Sequence, residues 1–157
     1  MFKIYNLNTT PKQYWETWDY EGTHTIHWGE LGTQGENYEI HESSTPKYHE
    51  KIQGIINEQV QNGFLPIETE DHDILLIEYA VDGFGNKEDL DKRYELQDRM
   101  SETLGWTGLG HCDGGSIGSD TMEVCCFVVD FEIAKKVVEQ DLQNTKFANF
   151  TRIYKEN

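Results

Sequence analysis

The residues of this 157-residue chain that could do chemistry fall in two stretches, one around His24, His27, Trp28 and Glu30, the other around His111, Cys112 and Asp113. His24 and His27 have the type of metal ligands, but residues three apart on a strand point to opposite faces. They are therefore not expected to share an ion. Cys112, Cys125 and Cys126 are the only cysteines. With a two-residue turn at Gly118-Ser119, Cys112 lies opposite Cys125. Adjacent strand residues diverge, so at most two thiols and no histidine converge, short of the four ligands of structural zinc. Free, buried thiols and no metal are the expectation. Asp113-Gly114-Gly115-Ser116-Ile117-Gly118-Ser119 is glycine-rich enough for an anion nest. It lacks the Gly-Lys-Ser/Thr run and following helix of a phosphate loop, and Asp113 and Asp120 flank it, so it is read as a turn. His111 and Asp113, two apart on one strand face, have the spacing of an acid–base pair. No nucleophile accompanies them, so an enzyme using His111 and Asp113 is kept as an alternative and no catalytic residue is assigned.

The elements that must position these residues differ between the two halves. Phe2 to Leu7 alternates apolar and polar residues, Gln13 to Tyr20 is aromatic, and Thr23 to Trp28 is rich in β-branched and aromatic residues. These read as strands, with Glu21-Gly22 as the turn between the second and third. Gly29, Gly32 and Gly35 then fall within seven residues before Asn37-Tyr38-Glu39-Ile40, the pattern of a hairpin with a tight, specified turn. A helix is predicted from Thr45 as N-cap and Pro46 as its first residue, with Tyr48, Ile52, Ile55, Ile56 and Val60 forming one apolar stripe and Gly63 closing it.

The aromatic strand, the run Trp28-Gly29-Glu30 and the helix behind it resemble the WGR domain, a module named for a Trp-Gly-Arg run at this place. The resemblance covers residues 1–65 and implies a small antiparallel sheet with one helix. In that family the Trp and Arg are associated with nucleic-acid binding, chiefly in poly(ADP-ribose) polymerases. By resemblance, Trp28, Gly29 and Glu30 are the binding residues here. Glu30 occupies the Arg position, where a carboxylate repels phosphate, and residues 1–65 carry four lysines against nine acids. Two readings of Trp28 stay open: an exposed platform that stacks on a sugar or base, or a core ring on the strand face of Ile26.

Residues 66–157 read as β-α-β-β-α-β. Ile74 to Val81 is a near-continuous apolar strand. Asn86 caps a helix to about Leu104, with Leu90, Tyr94, Met100 and Leu104 expected buried and Gly105 beyond its end. Trp106 to Cys112 and Asp120 to Val129 follow as strands. Asp130 caps a helix burying Ile133, Ala134, Val137, Val138 and Leu142, and Phe147 to Tyr154 closes. This order resembles the ferredoxin-like fold, two helices on a four-stranded antiparallel sheet, in which the first and third strands are central. Those two strands are apolar on both faces here. The face away from the helices is thus expected to be an apolar patch, covered by the N-terminal domain or, alternatively, by a second copy in a homodimer.

Composition bounds the function. Asp and Glu number 29 against 13 Lys and Arg, a formal charge of −16. Such a chain is repelled by phosphate backbones and anionic membranes, which points to a basic protein partner and away from nucleic acid. No apolar run reaches the roughly 20 residues of a membrane helix, and Met1 to Tyr5 does not open a signal peptide. The expectation is an α+β, two-domain, cytoplasmic protein without cofactor. Its leading function is a non-enzymatic interaction module of the inhibitor or immunity type that binds a basic partner. A WGR-type nucleic-acid binder using Trp28 is the second alternative.

Overall fold

The structure is a computed structural model describing residues 1–157. The chain divides into two compact units, Met1–Ile67 and Glu68–Asn157.

In the first unit, β1 (Phe2–Asn6), β2 (Gln13–Tyr20), β3 (Thr23–Glu30) and β4 (Glu36–His41) form an antiparallel sheet in sequential order. Glu21 and Gly22, at φ 49° and 77°, make the two-residue turn between β2 and β3, the positive-φ turn that matches strand twist. Period-2 alternation divides the side chains. Ile4, Trp15, Ile26 and Ile40 face helix α1 (Tyr48–Gln61) and form one core with Tyr48, Ile52 and Phe64.

Helix α1 begins later than the expected Thr45 N-cap. Thr45 is extended, as a residue before proline prefers, but Lys47 adopts left-handed φ 52°, and no side chain caps the helix. Its first residue is set by a tertiary anchor instead: buried Tyr48 donates its hydroxyl to Asp19 Oδ2 at 2.6 Å. At the other end Gly63 has φ 93°, with Gly63 N–H donating to Val60 O and Phe64 N–H to Gln59 O, a Schellman closure. Val60, expected in the apolar stripe, is 45% exposed because it lies in the last turn, beyond the sheet-facing residues.

In the second unit, β5 (Asp73–Ala80), β6 (Gly110–Gly118), β7 (Thr121–Val128) and β8 (Arg152–Lys155) form an antiparallel sheet in the order β6-β7-β5-β8. Helices α2 (Lys87–Trp106) and α3 (Phe131–Leu142) intervene. Asn86 and Asp89 cap α2 reciprocally, and Asp130 accepts from the Ile133 N–H at the start of α3. Leu96, Met100, Leu104, Ala134, Val138 and Leu142 are fully buried, as are Leu75 and Ile77 of β5 and Val124, Cys126 and Val128 of β7. Arg99 ties the two helices together through Asp141, with Nε–Oδ2 at 2.7 Å.

Three expectations are corrected. Leu90 and Tyr94 are exposed at 38% and 52%, and Leu96 takes the core position instead. Leu96, Met100 and Leu104 repeat every four residues, a stripe that Leu90 and Tyr94 lie off. The segment 113–118 is strand, not turn, and the reversal is made by Ser119 and Asp120 at φ 53° and 66°. The glycines serve close backbone approach: a Cβ on Gly110 would meet Phe127 O at 1.9 Å, and one on Gly115 would meet Glu123 O at 2.3 Å. The last strand is short, because residues 143–151 form turns in which the Phe147 carbonyl accepts the buried Tyr79 hydroxyl.

The sheet face away from α2 and α3 is not purely apolar. Arg152 forks onto Glu78 at 2.9 and 3.1 Å, and Tyr154 donates to Glu123, beside Leu76 and Cys125. No helix is long and apolar enough to cross a membrane.

Candidate functional site

Trp28, Gly29 and Glu30 come together on the wall of one groove in the first unit, a cavity of about 750 Å³. Strand periodicity turns Trp28 toward α1, one residue pair beyond Ile26, so it packs on the core cluster while staying half-exposed. One part of the ring is core, and the rest is groove wall. Tyr38 on β4 approaches it edge-on, with centroids 5.6 Å apart and planes at 70°. Helix α1 contributes Ile55, Glu58 and Gln59 to the opposite wall, and Gln13, Asn6 and Asn62 supply amides. Glu30 and Glu58 are the only charged side chains in the lining. Burial, followed by the Glu58 carboxylate, pushes the Tyr38 hydroxyl above its ordinary range. An aromatic pair beside two carboxylates, without a lysine or arginine, attracts cations and repels anions.

Gly29 and Gly35 shape this wall. A Cβ on Gly29 would meet Gly35 Cα at 2.7 Å, and one on Gly35, at φ 63°, would meet Trp28 O at 2.1 Å. The middle residue of the Trp-Gly-Glu run is thus a steric requirement of the loop that follows β3.

The opposite face of this sheet holds a network that strand composition did not reveal. His27 is fully buried, with Nδ1 2.7 Å from Glu16 Oε1 and Nε2 2.6 Å from Gln34 O. A carbonyl only accepts, so Nε2 carries a hydrogen and donates, reaching also toward the Tyr14 hydroxyl oxygen at 3.0 Å. Tyr14 donates in turn to Thr33 O at 3.0 Å, and Lys3 pairs with Glu16 at 3.2 Å. Burial and the Glu16 carboxylate hold the Tyr14 hydroxyl above its ordinary range. This carboxylate–imidazole–phenol chain ties loop residues Thr33 and Gln34 to the sheet. The register Glu16↔His27 is the signal that would have exposed it, and register is not readable from residue types alone.

His24 lies on the other face, toward α1. Its ring meets Tyr48 at 6.2 Å, and burial lowers its proton affinity although Asp19 is 3.8 Å away. No three His, Cys, Asp or Glu side chains converge in a metal-binding arrangement. His111 and Asp113 are both exposed on edge strand β6. His111 lies against Phe127 with centroids 5.7 Å apart, and no hydrogen bond joins it to Asp113. All three cysteines are free thiols, and only Cys126 is buried. Cys112 stands opposite Cys126, not Cys125, because the turn falls at Ser119-Asp120 and a bulge at Asp113 shifts the register.

No protein-family model matches the chain, and no curated protein or solved structure is significantly similar to it.

Proposed function

We propose that this chain is a non-enzymatic, cytoplasmic interaction protein of the inhibitor or immunity type, which grips a basic protein partner through the Trp28 groove. The first unit is read as WGR-like, with Glu30 replacing the arginine, and the second as ferredoxin-like. The strand order β6-β7-β5-β8, with β5 and β7 central and both helices on one face, supports the second reading. The observation that carries the function is the lining of the groove: the partly exposed rings of Trp28 and Tyr38, amides and two carboxylates, with no positive charge. A lysine or arginine side chain entering there meets the Trp28 face and a carboxylate together. The net charge of −16 steers basic partners toward the whole molecule.

The test titrates an oligo-arginine peptide and, separately, duplex DNA into the full chain at low salt. The peptide is expected to bind and the duplex not. Trp28→Ala removes a cation–π contact worth ~1–2 kcal/mol, so peptide affinity falls about tenfold. Duplex binding that weakens with salt and with Trp28→Ala would establish the nucleic-acid alternative. Peptide binding indifferent to Trp28→Ala and Glu58→Gln removes the groove from the proposal.

A further inference from the structure

We infer that Cys112 and Cys126 are a redox-modifiable dithiol, which hydrogen peroxide closes into an intramolecular disulfide across β6 and β7. The bulge at Asp113 makes the pairing. With Gly118 opposite Thr121, an unbroken ladder would place Cys112 against Phe127, whereas the one-residue shift brings it directly opposite Cys126. Directly opposed residues of an antiparallel pair have Cα atoms roughly 4.5–5.5 Å apart, inside the range that a disulfide spans. Cys112 Sγ lies 3.3 Å from Cys125 O and 3.8 Å from Gly114 O, turned toward β7 while the residue stays half-exposed. Each of the two thiols shifts the proton affinity of the other, as close neighbours do. Cys125 points to the other face of the sheet, so the third thiol cannot compete for Cys112.

The two thiols are unequal, which sets the order of events. Cys112 is half-exposed, and the neighbouring Cys126 thiol favours its thiolate, holding it below the ordinary thiol range. Cys126 is buried, and the Cys112 sulfur beside it, reinforced by burial, keeps it protonated. The Cys112 thiolate attacks one oxygen of hydrogen peroxide and breaks the O–O bond. The departing hydroxide takes up a proton and leaves as water, with Cys112 now a sulfenic acid. The Cys126 sulfur then attacks the Cys112 sulfur and displaces its hydroxyl, which leaves as a second water with the Cys126 proton. Two thiols are oxidised to one disulfide, and one peroxide is reduced to two waters. The bond pins β6, an edge strand that pairs only with β7 and contains four glycines, to the centre of its sheet.

The full chain is treated with hydrogen peroxide while folded, alkylated under denaturing conditions and mapped by non-reducing peptide mass spectrometry. The expected product is a Cys112–Cys126 linked peptide, reversed by dithiothreitol, with Cys125 still alkylated. Cys125→Ser is expected to leave the link intact, and Cys126→Ser to send Cys112 on to sulfinic acid. A wild-type chain in which Cys112 becomes sulfinic acid while Cys126 stays alkylatable would overturn the inference. So would a link through Cys125, or three thiols unaffected by peroxide.

Discussion

Replacing Gly35 with alanine tests whether the loop behind Trp28 is as constrained as its geometry implies. At φ 63° the new residue would occupy the left-handed region, at a cost of roughly 1–2 kcal/mol for a side-chain-bearing residue. Its Cβ would stand 2.1 Å from Trp28 O and 2.5 Å from the Tyr14 hydroxyl. Carbon and oxygen approach to ~3.3 Å in ordinary close contacts, so the loop must retreat by about 1 Å. That retreat stretches the bonds from His27 Nε2 to Gln34 O and from Tyr14 to Thr33 O, both at the same loop. Leaving one such buried group unsatisfied costs about 1–3 kcal/mol. The expected total is a loss of ~2–5 kcal/mol, large for one substitution. Gly54→Ala is the control, because nothing lies within 4 Å of a Cβ there and the residue is inside α1. It is expected to stabilise the protein by roughly 0.5–1 kcal/mol, the helix preference for alanine over glycine. Urea denaturation followed by tryptophan fluorescence reads both, since Trp15, Trp18 and Trp28 are three of the four tryptophans and all lie in the first unit. A Gly35→Ala midpoint within error of wild type would refute the steric argument.

The Tyr48–Asp19 bond makes stability pH-dependent at both extremes. The Tyr48 hydrogen bond holds the Asp19 carboxyl below its ordinary value, so its contribution is present above the unfolded carboxyl pKa and is lost as pH falls through the folded one. The same bond raises the Tyr48 hydroxyl to about 12, so its contribution is present below 10.0 and is lost as pH rises through 12. Tyr48→Phe is expected to flatten both limbs in thermal melts across pH, and unchanged acid and alkaline limbs would contradict the assignment. Leu96→Ala is expected to cost ~2–5 kcal/mol by opening a cavity, while Leu90→Ala stays within about 0.5 kcal/mol of wild type. Equal urea midpoints for the two variants would show that the core face of α2 is misassigned.

Much of the fold follows from local chemistry. Glu21-Gly22, Gly63, Asn86 and Asp130 act at the turn, cap and closure positions that their residue types prefer, because those preferences are backbone properties that act within a few residues. The apolar runs at β5 and β7 are likewise legible, since the two central strands of a sheet have neighbours on both edges and one face under helices. Where contacts at long sequence separation decide, the residues alone mislead. Thr45-Pro46 has the chemistry of a helix start, yet the bond from Tyr48 to Asp19, 29 residues away, determines where α1 begins. Gly114 and Gly115 have turn chemistry, yet β6 continues through them because β7 comes too close to admit a side chain at Gly115.

The candidate site divides in the same way. Trp28, Gly29 and Glu30 could be singled out from sequence, and the acidity that argues for a basic partner is a matter of counting charges. That Tyr38 and Glu58 face Trp28 depends on strand pairing and on the rotation of α1, which set neighbours that composition does not specify. The Glu16–His27–Tyr14 chain and the Cys112–Cys126 pair depend on register, and a one-residue slip would send each side chain to the opposite face or to another partner. Residue types determined most of the strands, the caps at Asn86 and Asp130 and the sign of the charge in this protein. Only the tertiary structure decided which of those residues meet, because a contact is set by the packing of whole elements and not by the chemistry of either residue in it.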